Sequence, residues 1–147
     1  MELQRHSSFH VPHDPSLHGT SMPLWPGREY ANMQLFQATA PPMHRCAAML
    51  IFRGGGYRIN NGSGDGCAEF LASRGVMGIE VFYRTTEGPG ACAVGSEGSL
   101  FPKPLHDAVR AIRLVRHKAR EFNVDPNRIG VVGFSAGGHL AGLLCGS

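Results

Sequence analysis

Apolar residues along this chain follow two rhythms. A continuous run occupies 47–52, apolar-rich runs occupy 76–83 and 128–132, and the stretches between them carry apolar residues at spacings of three and four. The run 47–52, Ala-Ala-Met-Leu-Ile-Phe, predicts a central strand buried on both faces. The runs 76–83 and 128–132 predict two further strands. A weaker strand candidate covers 33–39, followed by a proline-containing turn at 40–44. A helix is expected over about 65–74, with Ala68, Leu71 and Phe70 facing inward and Gly75 as its stop. The clearest helix is 104–122, where Leu105, Ala108, Val109, Ile112, Val115, Ala119 and Phe122 share one face. Asp107, Arg110, Arg113, Lys118 and Glu121 fall largely elsewhere and read as a solvated face. Residues 58–66 form a Gly/Asn/Ser loop. Residues 84–103 form a longer one, of a length that in compact domains usually serves as a lid or rim. Residues 124–127 read as a turn, with Asp125 a turn former and not a catalytic acid.

From residue 47 the order is β-α-β-α-β-α. That order implies right-handed crossovers and a mostly parallel sheet with helices on both faces, an α/β fold. Ligands of such sheets bind at the carboxyl ends of the strands. Residues 1–28 lack any period and read as an extended or poorly ordered arm, which leaves 29–147 as the domain.

Composition changes this picture little. A chain of 147 residues is long enough for one domain with a real core, and a net charge of +3 is no nucleic-acid footprint. The four cysteines, Cys46, Cys67, Cys92 and Cys145, show neither disulfide-framework nor metal-ligand spacing and are expected to be reduced. His6, His10, His13 and His18 are scattered through the arm and read as solvated. No metal and no cofactor are expected. No apolar leader or membrane-length run is present, so the expectation is a soluble, cytoplasmic protein with no membrane partner.

The candidate chemistry lies in two glycine-rich turns. Gly133-Phe134-Ser135-Ala136-Gly137 fits G-x-S-x-G between a strand and a helix, the context of a nucleophile elbow. There the flanking glycines, Gly133 and Gly137, avoid clashes with the neighbouring strand and helix. Ser135 stands above the carboxyl end of the sheet, and the Ala136 N–H points at the reacting centre. The alternative is an ordinary βα turn with Ser135 as an N-cap. A serine hydroxyl also needs donors for the oxyanion it creates. The triplet Gly54-Gly55-Gly56 after the 47–52 strand meets that need, with Gly55 and Gly56 joining Ala136 as the oxyanion hole. A phosphate loop fails on spacing, because G-x-G-x-x-G from Gly54 would require glycine where Ile59 stands.

Together with Leu24-Trp25-Pro26-Gly27, Phe82-Tyr83-Arg84, Pro104-Leu105-His106-Asp107-Ala108 and Asp125-Pro126-Asn127-Arg128-Ile129-Gly130, these turns make the sequence resemble the α/β-hydrolase superfamily. It is most similar to the acetylxylan-esterase and carbohydrate-esterase-like group related to hormone-sensitive lipases, over about residues 22–147. The resemblance implies a serine-dependent ester hydrolase that deacetylates a carbohydrate-like ester. Two departures stand out. Arg53 occupies a position where these relatives usually carry proline or histidine, an exchange that either alters the oxyanion loop or places a cation at its mouth. The fold's acid and histidine follow the serine in chain order on later strands, and here only the start of a helix, with His139 and no acid, follows Ser135. The reading is therefore a partial fold that stops after the elbow. His139 reads as a packing or capping residue. His106 and Asp107 are placed at the opposite end of the sheet from Ser135. The strand before Ser135 is expected to leave one edge open, able to pair with a second copy. The alternative function is an inactive hydrolase-like protein that acts by binding or pairing.

Overall fold

The computed structural model describes residues 19–28, 30–39, 44–95 and 98–146. Its elements in chain order are β1 (Thr20–Pro23), β2 (Asn32–Phe36), β3 (Cys46–Phe52), α1 (Cys67–Ala72), β4 (Met77–Phe82), α2 (Lys103–His117), β5 (Val124–Gly133) and α3 (Ala136–Cys145). The histidines of the arm and residues 40–43 of the proline-containing turn lie outside the described residues. Thr20–Pro23, inside the segment assigned to the arm, form a strand.

One sheet runs in the order β1-β2-β4-β3-β5. The β3–β4 and β3–β5 pairs are parallel, as the alternation of strands and helices predicts, and the β1–β2 and β2–β4 pairs are antiparallel. The sheet is thus mixed. Its parallel half carries the two glycine-rich turns, at the ends of β3 and β5.

Side-chain alternation builds two cores. Leu50 and Phe52 of β3, Ile79 and Val81 of β4, and Met33 and Leu35 of β2 pack with Ala108, Ala111 and Val115 of α2 and Leu140 of α3. On the other face Ile51 and Phe36 meet Ala68 and Ala72 of α1. Helices therefore cover both faces. In α1 the inward residues are Ala68 and Ala72, with Leu71 partly buried. Phe70 is exposed and stacks under Arg74, its ring centroid 4.3 Å from the guanidinium carbon. A short helix over a glycine (a Cβ on Gly78 would lie 2.4 Å from the Ala68 carbonyl oxygen) has room only for alanines on its inner face.

The α2 helix ends at His117, earlier than the apolar spacing predicts. Ala119 and Phe122 stay buried through the turns that follow. The 124–127 turn is absorbed into β5 as an irregularity. Cys46 pairs with Val124 but Ala48 with Ile129, so β5 carries three extra residues there. The Asp125 carboxylate accepts the Asn127 N–H at 2.9 Å, the local bond expected of a turn former. The four cysteines are free. Among the described residues no helix is long and apolar enough to cross a membrane.

Candidate active site

The chain reverses between β5 and α3 in two residues, Phe134 and Ser135. Ser135 sits there with φ 52° and ψ −119°, a positive φ that a side chain rarely adopts, and such strain costs on the order of 1–3 kcal/mol. Ser135 is the N-cap residue of α3, but its side chain makes no cap hydrogen bond. Its hydroxyl is exposed and carries no hydrogen bond among the described residues. Both flanking glycines are sterically required. A Cβ on Gly133 would fall 2.1 Å from the Gly137 carbonyl oxygen, and one on Gly137 would fall 2.0 Å from that of Phe52. Gly137→Ala is expected to push α3 off β3 and lower stability by about 1–3 kcal/mol, read as the shift of a denaturant midpoint. Gly142, with open space around its Cβ position in the interior of α3, is the control for the same exchange and is expected to gain stability, not lose it.

The second turn lies alongside. A Cβ on Gly54 would sit 3.1 Å from the Cβ of Ser135. The loop that follows is stitched to it: Gly54 N–H donates to Ser63 O, and Gly62 N–H donates to Gly54 O, both at 3.0 Å. Gly55 at φ 143° passes so close to the Ile59 carbonyl that no side chain fits. The N–H groups of Gly55, Gly56 and Ala136 donate to no acceptor among the described residues, so all three remain available at the carboxyl end of the sheet.

Aromatic groups brace this turn. Tyr57 (φ 61°) places its hydroxyl 2.8 Å from His139 Nδ1, and its ring meets both His139 and Tyr83 edge-on. His139 is therefore a packing partner of the glycine turn, as expected. The buried Tyr83 hydroxyl donates to the Arg53 carbonyl at 2.6 Å, and burial pushes that phenol up to about 12. Sequence reasoning assigned Tyr57 and Tyr83 no role, because nothing local to either says which loop it will reach.

The Arg53 side chain does not stand at the mouth of the loop. It turns beneath it, 12% exposed, and donates to the carbonyls of Asn61 and Gly62 at 3.1 and 3.0 Å. It also meets Asp65 at 3.3 Å and the buried Glu80 at 3.9 Å, while its Nε has no partner. Burial pushes the Glu80 carboxyl up from 4.5 to about 7; Arg53 opposes that rise, and Glu69 and Asp65 add to it. The folded state thus holds a proton that the unfolded chain has released. Stability attributable to Glu80 falls as pH rises from about 4.5 to about 7 and is level above that, a difference of about 3 kcal/mol. Glu80→Gln is expected to remove this slope, leaving the midpoint nearly unchanged at pH 4 and raised at pH 8. Urea melts across that range check it. An unaltered slope would show that Glu80 is ionised in the fold throughout.

Asp107 corrects the expectation for α2. It is fully buried, and it lies at the same end of the sheet as Ser135, because the loop after β4 reverses the chain there and the helix starts at that end. Its carboxylate accepts the Arg84 backbone N–H at 2.8 Å, Arg84 Nη2 at 2.8 Å and the Trp25 Nε1–H at 2.7 Å. All its capacity is spent on that knot. His106 is exposed. Neither residue serves Ser135, and no hydrogen-bonded base stands at the serine among the described residues. Beside it, β5 pairs only with β3, so its other edge is unpaired among the described residues.

A sheet whose parallel strands end in these two turns, with helices on both faces, defines the class as alpha/beta hydrolase. Comparison with known proteins agrees. The BD-FAE family model matches residues 40–147, and the chain belongs to that family. Over 93 residues it is 32% identical to an acetylxylan esterase of Xylanibacter ruminicola, covering 62% of this chain and 17% of that protein. Among solved structures it is similar to an acetyl ester-xyloside bifunctional hydrolase from Caldicellulosiruptor lactoaceticus, with TM-score 0.69 and 32% identity over 93% of this chain and 48% of that one. It is also similar to an alpha/beta hydrolase enzyme from a Medee basin deep-sea metagenome library, with TM-score 0.68 and 26% identity over 83% of this chain and 48% of that one. The chain thus spans about half the length of these solved relatives and less than a fifth of the acetylxylan esterase.

Proposed function

We propose that this chain carries the nucleophile and oxyanion hole of a serine carboxylic ester hydrolase. Ser135 attacks the carbonyl of an acetyl ester, and the N–H groups of Gly55, Gly56 and Ala136 receive the oxyanion. The observation that carries this reading is the strained, uncapped Ser135 set against Gly54, with three unengaged N–H groups close by in the fold. Donors fixed by backbone need no reorganisation when charge develops, and each is typically worth about 3 kcal/mol of transition-state stabilisation. The names of the relatives support a carbohydrate acetate as the substrate class.

No acid or histidine partners Ser135 among the described residues, so those members of the triad would come from another segment, one that could also pair with the open edge of β5. The test reads the transcript past the Ser147 codon and assays the extended and unextended chains on p-nitrophenyl acetate. Ser135-dependent hydrolysis by the extended chain alone is expected. Hydrolysis by the 147 residues alone, abolished by Ser135→Ala, would overturn the need for an added segment. Equal activity of the extended chain with alanine at 135 would overturn the nucleophile. A stop codon directly after Ser147 would favour the non-catalytic reading, in which the open edge of β5 pairs with a partner.

A further inference from the structure

A cleft of about 370 Å³ opens on the α1 face of the sheet, between β2, the end of β4 and the loop after the glycine turn. Its polar groups are almost all carboxamides: Asn32 and Gln34 on one face of β2, and Asn60 and Asn61 on the loop. Asn60 is 7% exposed and oriented by its Nδ2, which donates to the Tyr83 carbonyl at 2.6 Å. Its Oδ1 accepts no hydrogen bond among the described residues. The side chains of Asn32, Gln34 and Asn61 likewise make no hydrogen bond among the described residues. Phe82 and Tyr30 supply apolar walls.

The cleft carries no unpaired charge. Its one carboxylate, Glu87, is held by Arg58 through bonds of 3.0 and 3.2 Å, which keep it below the ordinary carboxylate range. Carboxamides offer donors and acceptors together, the pattern that matches hydroxyl groups, and aromatic walls suit the apolar face of a ring. A charged ligand finds no counter-ion here. The cleft also shares a wall with the serine turn. Ile59 lines the cleft and packs on Gly55, and Gly54 lies against Ser135.

We propose that this cleft is a saccharide subsite, which holds an uncharged sugar unit of the substrate one loop away from the scissile ester. The proposal rests on the carbohydrate-ester reading above for its ligand class, and binding there needs no nucleophile. Titrating the protein with xylotriose, followed through the side-chain amide resonances of Asn32, Gln34 and Asn61, tests it. Saturable millimolar binding confined to those signals is expected. Replacing Gln34 and Asn61 together by alanine is expected to weaken it at least about tenfold, since two hydrogen bonds to the sugar are lost together. Asn61 is exposed and Gln34 half-buried, so this variant is expected to fold, whereas Asn60→Ala removes a buried bond. Ser135→Ala is expected to leave the affinity unchanged.

Absence of saturable shifts, shifts that survive the double substitution, or an equal response to glycerol would overturn the subsite. Turnover adds a second readout. The double variant is expected to raise KM for acetylated xylo-oligosaccharides and to leave KM for p-nitrophenyl acetate unchanged. In the extended chain, xylotriose binding without Ser135-dependent hydrolysis would sink the hydrolase reading and leave the subsite. Hydrolysis without cleft binding would do the reverse.

Discussion

Ser135→Ala is expected to lower turnover of p-nitrophenyl acetate by roughly 10⁴-fold or more in protein that also holds the acid and histidine. The size follows from what the substitution removes. Without the hydroxyl no acyl-enzyme forms, and hydrolysis falls to what oriented water and the oxyanion donors support. Fold and binding should survive. The Cβ that alanine keeps is the one that meets Gly54, and Ser135 uses its hydroxyl for no internal bond among the described residues. Alanine also inherits the φ of 52°, so stability should change little. An unaltered melting midpoint with lost turnover is the expected pair of results. A large drop in both would point to a structural role for the hydroxyl instead. Single-turnover kinetics separates acylation from release.

The other large effect is expected from a residue that touches no substrate. Asp107→Ala should lower stability by about 3–5 kcal/mol, read from urea midpoints. The carboxylate is fully buried and receives Trp25 and both the backbone and guanidinium of Arg84. Its loss strands a guanidinium whose side chain is 13% exposed, with only the Lys103 carbonyl as a hydrogen-bond acceptor among the described residues and the rings of Tyr30 and Trp25 at 5.2 and 5.7 Å. Asparagine at 107 would not repair this, because it aims a donor at donors. Pairing Asp107→Leu with Arg84→Met should recover most of the loss, since two apolar groups of similar size leave no charge unmatched. A double variant no better than Asp107→Ala would mean that the shape of the knot, and not its charge, holds α2 to β4.

The knot also shows where sequence reasoning stopped. Trp25, Arg84 and Asp107 lie in three of the segments that carried the family resemblance, yet the helical face drawn from apolar spacing excluded Asp107 and its exposure was expected. Periodicity scores a carboxylate as polar and assigns it to water. It cannot see that Trp25, 82 residues away, and Arg84 will arrive to satisfy it. Arg53 failed in the same way. Beside a glycine triplet it looked like a cation for the loop mouth, and only the approach of Glu80, Asp65 and two loop carbonyls turned it underneath. Phe70 was expected inside and lies outside, because Gly78 brings α1 too close to the sheet for anything larger than alanine between them.

By itself the sequence determined the alternation of strands and helices, the parallel core of the sheet and the steric logic of the turn at Ser135. Each rests on local rules: apolar runs bury, glycines admit close backbone, and small residues tolerate tight reversal. Tertiary structure alone decided the antiparallel edge at β1 and β2, the juxtaposition of Gly54 with Ser135, and the burial of Asp107 and Glu80. Those depend on groups distant in the chain meeting across the sheet. Strand order and the pairing of buried polar atoms are set by the sum of all contacts, which no local window contains.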